Sequence, residues 1–356
     1  MRLFPFLAAG LILVPAAAVS APIAPGPRAV EQAVIESSLP TAGGKIRQFA
    51  FDTDPNTAFV SDKNATKADH LTLTFDNPVA LESVAVVTGR AGGGDIVSAG
   101  VLEVSADGTA FEAVGKLAGG KADAAGGGKK VKAVRVRPTE DLPHPLVVRE
   151  FTVRSEPKVA PFRYPIEFIL DVSDSPDMKA WGDRVVKICE REYPRICDLL
   201  ASDGYIPPTQ LRMSLKNDYN GVAAAGGGRI TGSVKYFKSN PNDVGAMVHE
   251  TAHCVQSYKG RGNPGWLVEG VADYVRFWKY EPGKAGRLQP ERAKYDGSYR
   301  TTAAFLAFVT EKYDGQAVPK LNAMMREGRY TPEVWRTLTG KPVEELNQEW
   351  RQSLAR

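Results

Sequence analysis

Two histidines four positions apart are the residues of this 356-residue chain whose spacing best suits metal chemistry. They open and close the pentapeptide His249-Glu250-Thr251-Ala252-His253, in a stretch predicted to be helical. Positions i and i+4 lie on one face of an α-helix, so two imidazoles there can bind one Zn²⁺. Glu250 projects beside this pair, where it can take a proton from a water activated by the zinc. The motif therefore predicts one catalytic zinc ion, with His249 and His253 as ligands and Glu250 as general base.

A third protein ligand is expected after the chain reverses. The stretch 260–265 is rich in Gly and Pro and predicts a tight turn that brings a second helix back across the first. Glu269 and Asp273 are i and i+4 on that helix, so both can face the metal. We favour Glu269 as the ligand because its longer side chain reaches farther, with Asp273 in support. The alternative assigns Asp273 as the ligand and Glu269 as its support.

Hydrolysis at such a site also needs a donor for the oxyanion, and a Tyr or a His commonly supplies it. No further His lies nearby in the sequence, so Tyr299 is the expected donor and Tyr295 the second choice. The alternative for Tyr299 is an aromatic residue packed at the start of a helix through Phe305. The stretch 228–236 is predicted to be extended, and as an edge strand it would pair with the backbone of a peptide substrate.

The elements that must position these groups fall into two regions of different periodicity. Over 28–155, apolar and polar residues alternate, as at Leu71, Leu73 and Phe75, and Gly-rich turns separate the segments. This pattern predicts an all-β, antiparallel jelly-roll sandwich. The Pro-bounded stretch 156–162 is predicted to be a linker. In 163–356, short strand patterns are interspersed with helical spacing, which predicts an α+β domain and hence a multidomain chain.

The N-terminus predicts export. Arg2 precedes an apolar run over 3–19 and small residues that fit a cleavage site, so residues 1–20 are expected to be a secretory signal peptide. The alternative is an uncleaved membrane anchor. No other segment approaches ~18 uninterrupted apolar residues, so we expect no stable membrane insertion after cleavage and a secreted or periplasmic protein.

The charge composition limits the kinds of partner that are expected. Lys plus Arg is 45 and Asp plus Glu is 41, for a net charge of +4, and no sustained basic run is present. A nucleic-acid partner is therefore not expected.

Export permits disulfides. Cys189 and Cys197 are too far apart in an unbroken helix, Pro194 could kink it, and Cys254 could pair with either, so the pairing stays open.

The second half of the chain resembles the basic secretory protein family, metallopeptidases of plants and bacteria. The resemblance depends on His249 to Gln256, joined to the motif Glu269-Gly270-Val271-Ala272-Asp273-Tyr274, and on the stretches 232–236, 299–306 and 338–350. It implies a zincin-like peptidase domain that acts on a protein or peptide. The order of the motifs also resembles the Glu-zincins, in which the Glu binds zinc and the later Asp holds a ligand His.

The first half is similar to discoidin, or coagulation-factor type C, domains. The similarity begins with the run Phe51 to Phe59, which contains Asp52, Asp54 and Thr57, and continues through 71–75, 102–108 and 147–153. It implies a domain whose loops bind a glycan or a surface, and a structural cation near Asp52 and Asp54. The alternative, which we favour, is an Asx turn without metal.

These observations together predict a secreted zinc-dependent peptidase with a targeting domain in front. Two alternatives stay open: a non-catalytic carbohydrate- or surface-binding protein with a silent zincin domain, and a metallohydrolase specialised for glycoprotein or cell-wall substrates. The intact set His249, Glu250, His253 and Glu269 argues against the first. The second stays open because the loops that set specificity cannot be read from a motif.

Overall fold

The computed structural model describes residues 30–258 and 262–355. The predicted signal peptide, residues 1–20, lies outside them. None of the described helices combines the length and apolar character needed to cross a membrane.

From residue 30 onward, where the description begins, the N-terminal region has nine strands: β1 Val30–Glu31, β2 Ala33–Ser37, β3 Phe59–Asn64, β4 Leu71–Thr88, β5 Gly100–Ser105, β6 Glu112–Lys116, β7 Lys121–Pro138, β8 Pro145–Glu156 and β9 Lys158–Val159. Seven of them form one sheet: six follow the order β3-β8-β4-β7-β5-β6, and β2 pairs with β4. β9 lies within the segment predicted as a linker and pairs with β1.

The two longest strands make this region a sandwich. β4 and β7 each have 18 residues and pair along most of their length, with register shifts near their middle. The first part of β4 pairs with β2, and its second part pairs with β8. Leu71, Leu73 and Phe75 are fully buried, as the alternating pattern predicts, because successive side chains of a strand point to opposite faces. The predicted β-sandwich is confirmed.

In its described residues, the C-terminal region combines four strands with eight helices: β10 Glu167–Asp171, α1 Lys179–Leu200, β11 Gln210–Lys216, β12 Ala223–Gly226, β13 Arg229–Ser233, α2 Val234–Ser239, α3 Gly245–Gln256, α4 Gly265–Tyr274, α5 Tyr299–Lys312, α6 Ala317–Arg326, α7 Val334–Thr339 and α8 Val343–Leu354. The sheet order is β10-β11-β13-β12, with β12 antiparallel to its neighbour. A π-helical turn, Val275–Tyr280, continues α4. The predicted α+β class is confirmed.

The expected edge strand over 228–236 is wrong in two respects. β13 lies inside the sheet between β11 and β12, and the residues after Ser233 turn into α2, which the Ser233 side chain caps. Gly227 and Gly228 have φ values of 57° and 76°, so the chain reverses there and folds β12 back to the outer position. The sequence Ala-Ala-Ala-Gly of β12 lacks the β-branched residues that mark strands, which is why it was missed.

The three cysteines are unpaired. α1 runs unbroken through Pro194, so Cys189 and Cys197 stay on one helix two turns apart. Burial raises the pKa of Cys189, Cys197 and Cys254 to about 12, so each is a neutral thiol. Cys189 and Cys197 belong to the hydrophobic core, and Cys254 packs against it.

Polar contacts join the sandwich to the first helix and strand of the α+β region. Arg47 pairs with Glu167 at 2.7 Å and with Glu190 at 3.0 Å. Arg191 makes a bidentate pair with Asp76 at 2.6 and 2.7 Å. Such planar, two-bond pairs fix orientation as well as distance. The two regions are therefore held together by directional contacts between a β-sandwich and α1.

Glu190 should make the stability of this interface depend on pH. Burial raises the pKa of its carboxyl group from 4.5 to about 7, although Arg47 and the Phe168 N–H favour the ionised form. The folded state binds the proton of the Glu190 carboxyl group more tightly than the unfolded state does. Proton binding therefore stabilises the fold fully below pH 4.5, and this stabilisation is lost as pH rises through about 7. Replacing Glu190 with Gln should flatten the pH dependence of the melting temperature between pH 4.5 and about 7.

The matched control is Glu36→Gln, since Glu36 pairs with Lys187 across the same interface but is half exposed. Its melting temperature should follow the wild-type pH dependence. A Glu190→Gln variant that kept the wild-type slope would contradict the assignment.

Candidate metal centre

Helix α3 carries the histidine pair and is buried along nearly its whole length. It packs against α1, α4 and the strand β12. His249 and His253 lie one turn apart on the same face, and their Nε2 atoms are 3.0 Å from each other. α3 ends at Gln256, where Ser257 takes a left-handed conformation with φ of 47° and turns the chain towards α4.

Helix α4 brings a carboxylate to the same point. Oε2 of Glu269 lies 3.2 Å from Nε2 of His249 and 3.3 Å from Nε2 of His253. Among the residues that the structure describes, these three side chains form the one cluster of His, Cys, Asp and Glu groups suited to a metal ion. Glu269 therefore lies beside both histidines, while residues 260 and 261 of the predicted turn lie outside the described part of the chain.

Asp273 lies on the other side of His249. Its Oδ1 is 2.6 Å from Nδ1 of His249, and the side chain is buried. A carboxylate only accepts hydrogen bonds, so Nδ1 of His249 is the donor and carries a proton. The structure thus leaves Asp273 outside the three-atom cluster and places it behind the first histidine.

The donor set fits a small divalent cation. A proton on Nδ1 leaves a lone pair on Nε2 of His249, and this lone pair faces another ring nitrogen and a carboxylate oxygen. Such atoms repel one another at 3.0–3.3 Å unless a positive charge lies between them. A tetrahedral zinc ion with bonds of about 2.0–2.1 Å holds its ligand atoms about 3.3–3.4 Å apart, close to the observed separations.

The electrostatics of the cluster favour a positive charge. Burial lowers the pKa of His249, but hydrogen bonds to Asp273 and Glu269 outweigh it and raise the pKa to about 9. Burial raises the pKa of Glu269, but His249 and His253 outweigh it and lower the pKa to about 2. Without metal a proton supplies the charge that the carboxylates favour, so protons and metal compete for the cluster.

The cluster lies in a cleft of about 880 Å³, which Glu250 also lines. Ala223 to Gly226 of the edge strand form part of its wall. Glu250 is buried, and this burial raises the pKa of its carboxyl group, although the two histidines oppose the shift. The Ala225 N–H also favours the ionised form, which ties Glu250 to the edge strand.

Of the two tyrosines considered as donors, Tyr299 lies in the cleft. Its ring stacks on His249 with centroids 6.2 Å apart, and the residue is 55% exposed, so it is not a core aromatic. Its φ of 44° is left-handed, and the charge of Glu269 raises the pKa of its phenol, so the proton is retained. Tyr295 instead packs on Trp266 and Phe305.

The turn at Asp52 and Asp54 has the geometry of Asx turns. Asp52 accepts a hydrogen bond from the Asp54 N–H at 3.0 Å, and Asp54 accepts one from the Asn56 N–H at 2.9 Å. Glu150, which no sequence motif marks, approaches this turn from β8. Burial and the charges of Asp52 and Asp54 raise the pKa of its carboxyl group to about 7. The structural cation near Asp52 and Asp54 stays a prediction.

Comparison with known proteins separates the two regions. Residues 185–350 match the family described as "Peptidase of plants and bacteria". No curated protein matches the chain significantly.

Several solved carbohydrate-binding modules are similar to the N-terminal region. One is the CBM32-1 module of a family 31 glycoside hydrolase from Clostridium perfringens. Its sequence is 18% identical to this chain, the match covers 34% of this chain and 92% of the module, and the TM-score is 0.30. Another is the chitosan-binding module 2 of a chitosanase/glucanase from Paenibacillus sp. IK-5, solved with chitotriose. Its sequence is 19% identical to this chain, the match covers 34% of this chain and 94% of the module, and the TM-score is 0.30.

The resemblance predicted for the second half of the chain is therefore confirmed: residues 185–350 carry the sequence pattern of a family of peptidases of plants and bacteria.

Proposed function

We propose that this chain is an exported zinc-dependent peptidase whose sandwich binds a glycan or a surface. The observation that carries the proposal is the convergence of His249, His253 and Glu269 beside the buried Glu250, in a cleft bounded by an open strand edge. The family match supports a peptide bond as the bond that is cleaved. The apolar run at the N-terminus supports export.

His249, His253 and Glu269 would hold the zinc ion. When bound, zinc supplies a Lewis acid for the scissile carbonyl and for the attacking water. Glu250 accepts a proton from that water, and its raised pKa favours this transfer. The same carboxyl group then donates the proton to the leaving amine nitrogen, which restores the starting state of Glu250.

The strand β12 is suited to hold an extended peptide in the cleft. It is the outer strand of its sheet, so the outward-facing N–H and C=O groups of its backbone, apart from the Ala225 N–H that contacts Glu250, can pair with another chain. Its side chains are three alanines and a glycine, which leave room above the backbone for substrate side chains. This assignment replaces β13, the strand expected from the sequence, as the substrate-pairing element.

Tyr299 is suited to stabilise the oxyanion. It stands over His249 at the rim of the cleft, and its phenol keeps its proton because Glu269 raises the pKa. A neutral phenol donates a hydrogen bond to the negative oxygen that forms when water adds to the carbonyl. Its partial exposure leaves the hydroxyl accessible to substrate.

The first prediction from this proposal separates the ligand from its support. Glu269→Gln should weaken zinc binding by more than about 100-fold, and Asp273→Asn by about 10- to 100-fold, because Asp273 orients the ring of His249. Competition with a chelator measures both constants. Asp243→Asn, in a cleft carboxylate that pairs with Arg276, is the control and should bind zinc like the wild type. A larger loss for Asp273→Asn than for Glu269→Gln would make Asp273 the ligand.

The second prediction tests the general base. Glu250→Gln, loaded with the same zinc content as the wild type, should cleave a denatured protein about 10²- to 10⁴-fold more slowly, because it can no longer accept a proton. Glu311→Gln, on the exposed face of α5, is the matched control and should keep wild-type turnover.

Full turnover by the zinc-loaded Glu250→Gln variant would remove Glu250 from the mechanism. A zinc-loaded wild type that cleaves neither a denatured protein nor a glycoprotein would favour the alternative of a silent zincin. Cleavage of the glycoprotein alone would favour the specialised hydrolase.

The third prediction compares the two tyrosines. Tyr299→Phe should lower kcat about 100-fold with little change in KM, because the hydroxyl acts on the transition state and not on bound substrate. Tyr295→Phe should keep wild-type kcat, since Tyr295 packs away from the cleft. Equal kcat values for Tyr299→Phe and the wild type would contradict the role of Tyr299.

The glycan-binding role of the sandwich is supported by the resemblance of its motifs and by a small cavity between its loops. This cavity has a volume of about 120 Å³ and is lined by polar side chains that include Lys45, Asn56, Arg90 and Arg149. Such groups can donate hydrogen bonds to sugar hydroxyls. The sandwich would then hold the peptidase near glycan-bearing substrates.

A further inference from the structure

We infer that Gln256 is a positioning residue of the metal centre, which holds the imidazole of His253 in the tautomer whose Nε2 is free to bind the ion. The inference rests on the proposed metal site, but it does not depend on hydrolysis of a peptide bond.

The contacts of the Gln256 side chain carry the inference. The residue is the last of α3, three positions after His253, and is 1% exposed. Its Oε1 lies 2.7 Å from Nδ1 of His253. Its Nε2 donates a hydrogen bond of 2.9 Å to the carbonyl oxygen of Val268. Both ends of the buried amide are therefore paired.

The partners determine which way the amide points. The carbonyl oxygen of Val268 can only accept a hydrogen bond, so the NH₂ group of Gln256 must face it. The amide oxygen then faces His253, and because this oxygen can only accept, Nδ1 of His253 must carry the proton. Nε2 of His253 therefore keeps its lone pair, directed at His249 and Glu269. Removal of the Gln256 side chain would remove this preference for one tautomer of His253.

The same amide links the two helices of the site. Val268 immediately precedes Glu269 on α4, so one side chain contacts the second histidine and the residue beside the carboxylate ligand. The distance from His253 to Glu269 is thereby set by a hydrogen-bonded bridge as well as by packing. Outer contacts of this kind commonly orient metal ligands and raise metal affinity.

The backbone of Gln256 is itself held in place. The guanidinium of Arg326 donates to the carbonyl oxygens of Val255 at 2.7 Å and Gln256 at 3.1 Å, and also to Leu200 at 2.8 Å. These carbonyls lie at the C-terminal ends of α3 and α1, where helix carbonyls lack intrahelical partners. The Gln256 amide thus projects from a fixed helix end.

The experiment measures zinc affinity by chelator competition in Gln256→Ala, Gln256→Glu and Asn322→Ala. Gln256→Ala should bind zinc about 10- to 100-fold more weakly than the wild type. Gln256→Glu keeps an oxygen that accepts the Nδ1 proton of His253 but loses the donor to the Val268 carbonyl, so its affinity should lie between those of Gln256→Ala and the wild type.

Asn322→Ala is the matched control. Asn322 is also a fully buried amide, and it donates to Leu200 and accepts from Tyr258, but it does not contact a ligand. Asn322→Ala should lower the melting temperature, as Gln256→Ala should, but the zinc affinity of Asn322→Ala should stay at the wild-type value. Wild-type affinity in Gln256→Ala, an equal loss in Asn322→Ala, or no recovery in Gln256→Glu would overturn the inference.

A second readout needs no metal. Long-range ¹H–¹⁵N spectra of the metal-free protein should show a proton on Nδ1 of His253 that exchanges slowly with solvent in the wild type and in Asn322→Ala. In Gln256→Ala this proton should exchange much faster. Equal exchange in all three proteins would overturn the inference even if the chain proved to have no peptidase activity.

Discussion

The C-terminal region depends on holding three electron-pair donors within 3.3 Å of one another in a largely buried place. Two helices that meet only through such atoms would separate, because the atoms repel one another without a cation. The structure opposes this in two ways. α3 is enclosed by α1, α4 and the sheet, so apolar burial fixes its position. Hydrogen bonds then orient the two imidazoles: Asp273 contacts His249, and Gln256 contacts His253.

The site contains two glutamates whose surroundings move their pKa values in opposite directions. Glu269 faces both histidines, which hold its pKa far below the ordinary value. Glu250 lies on the same helix as the histidines, yet burial dominates and raises its pKa. Opposite shifts in neighbouring carboxyl groups are how one site provides both a permanently ionised ligand and a group that can take up a proton. The two helices achieve this by burying the two carboxyl groups to different extents.

Helix α1 connects the two regions. One side of it, with Val185, Cys189 and Tyr193, is buried in the core that also holds α3. Another side carries Glu190 and Arg191, which pair with residues of the sandwich. Among the described residues that line the cleft, none belongs to the sandwich. The sandwich therefore contributes no described side chain to the cleft.

The sequence by itself determined the groups that local periodicity places together. Helical spacing put His249 and His253 on one face, a short reversal returned Glu269 towards them, and period-two alternation marked the strands of the sandwich. These inferences involve neighbours in the chain or a single turn, where spacing alone fixes geometry.

Only the tertiary structure decided which elements meet across the fold. It showed that β12 and not β13 is the open edge, that Tyr299 and not Tyr295 reaches the cleft, and that the cysteines are unpaired. It also showed the contacts of Gln256 with Val268 and of Glu150 with the Asp52 turn. Each depends on how distant segments cross and on which atoms burial leaves to one another, and neither is encoded in the spacing of residues along one segment.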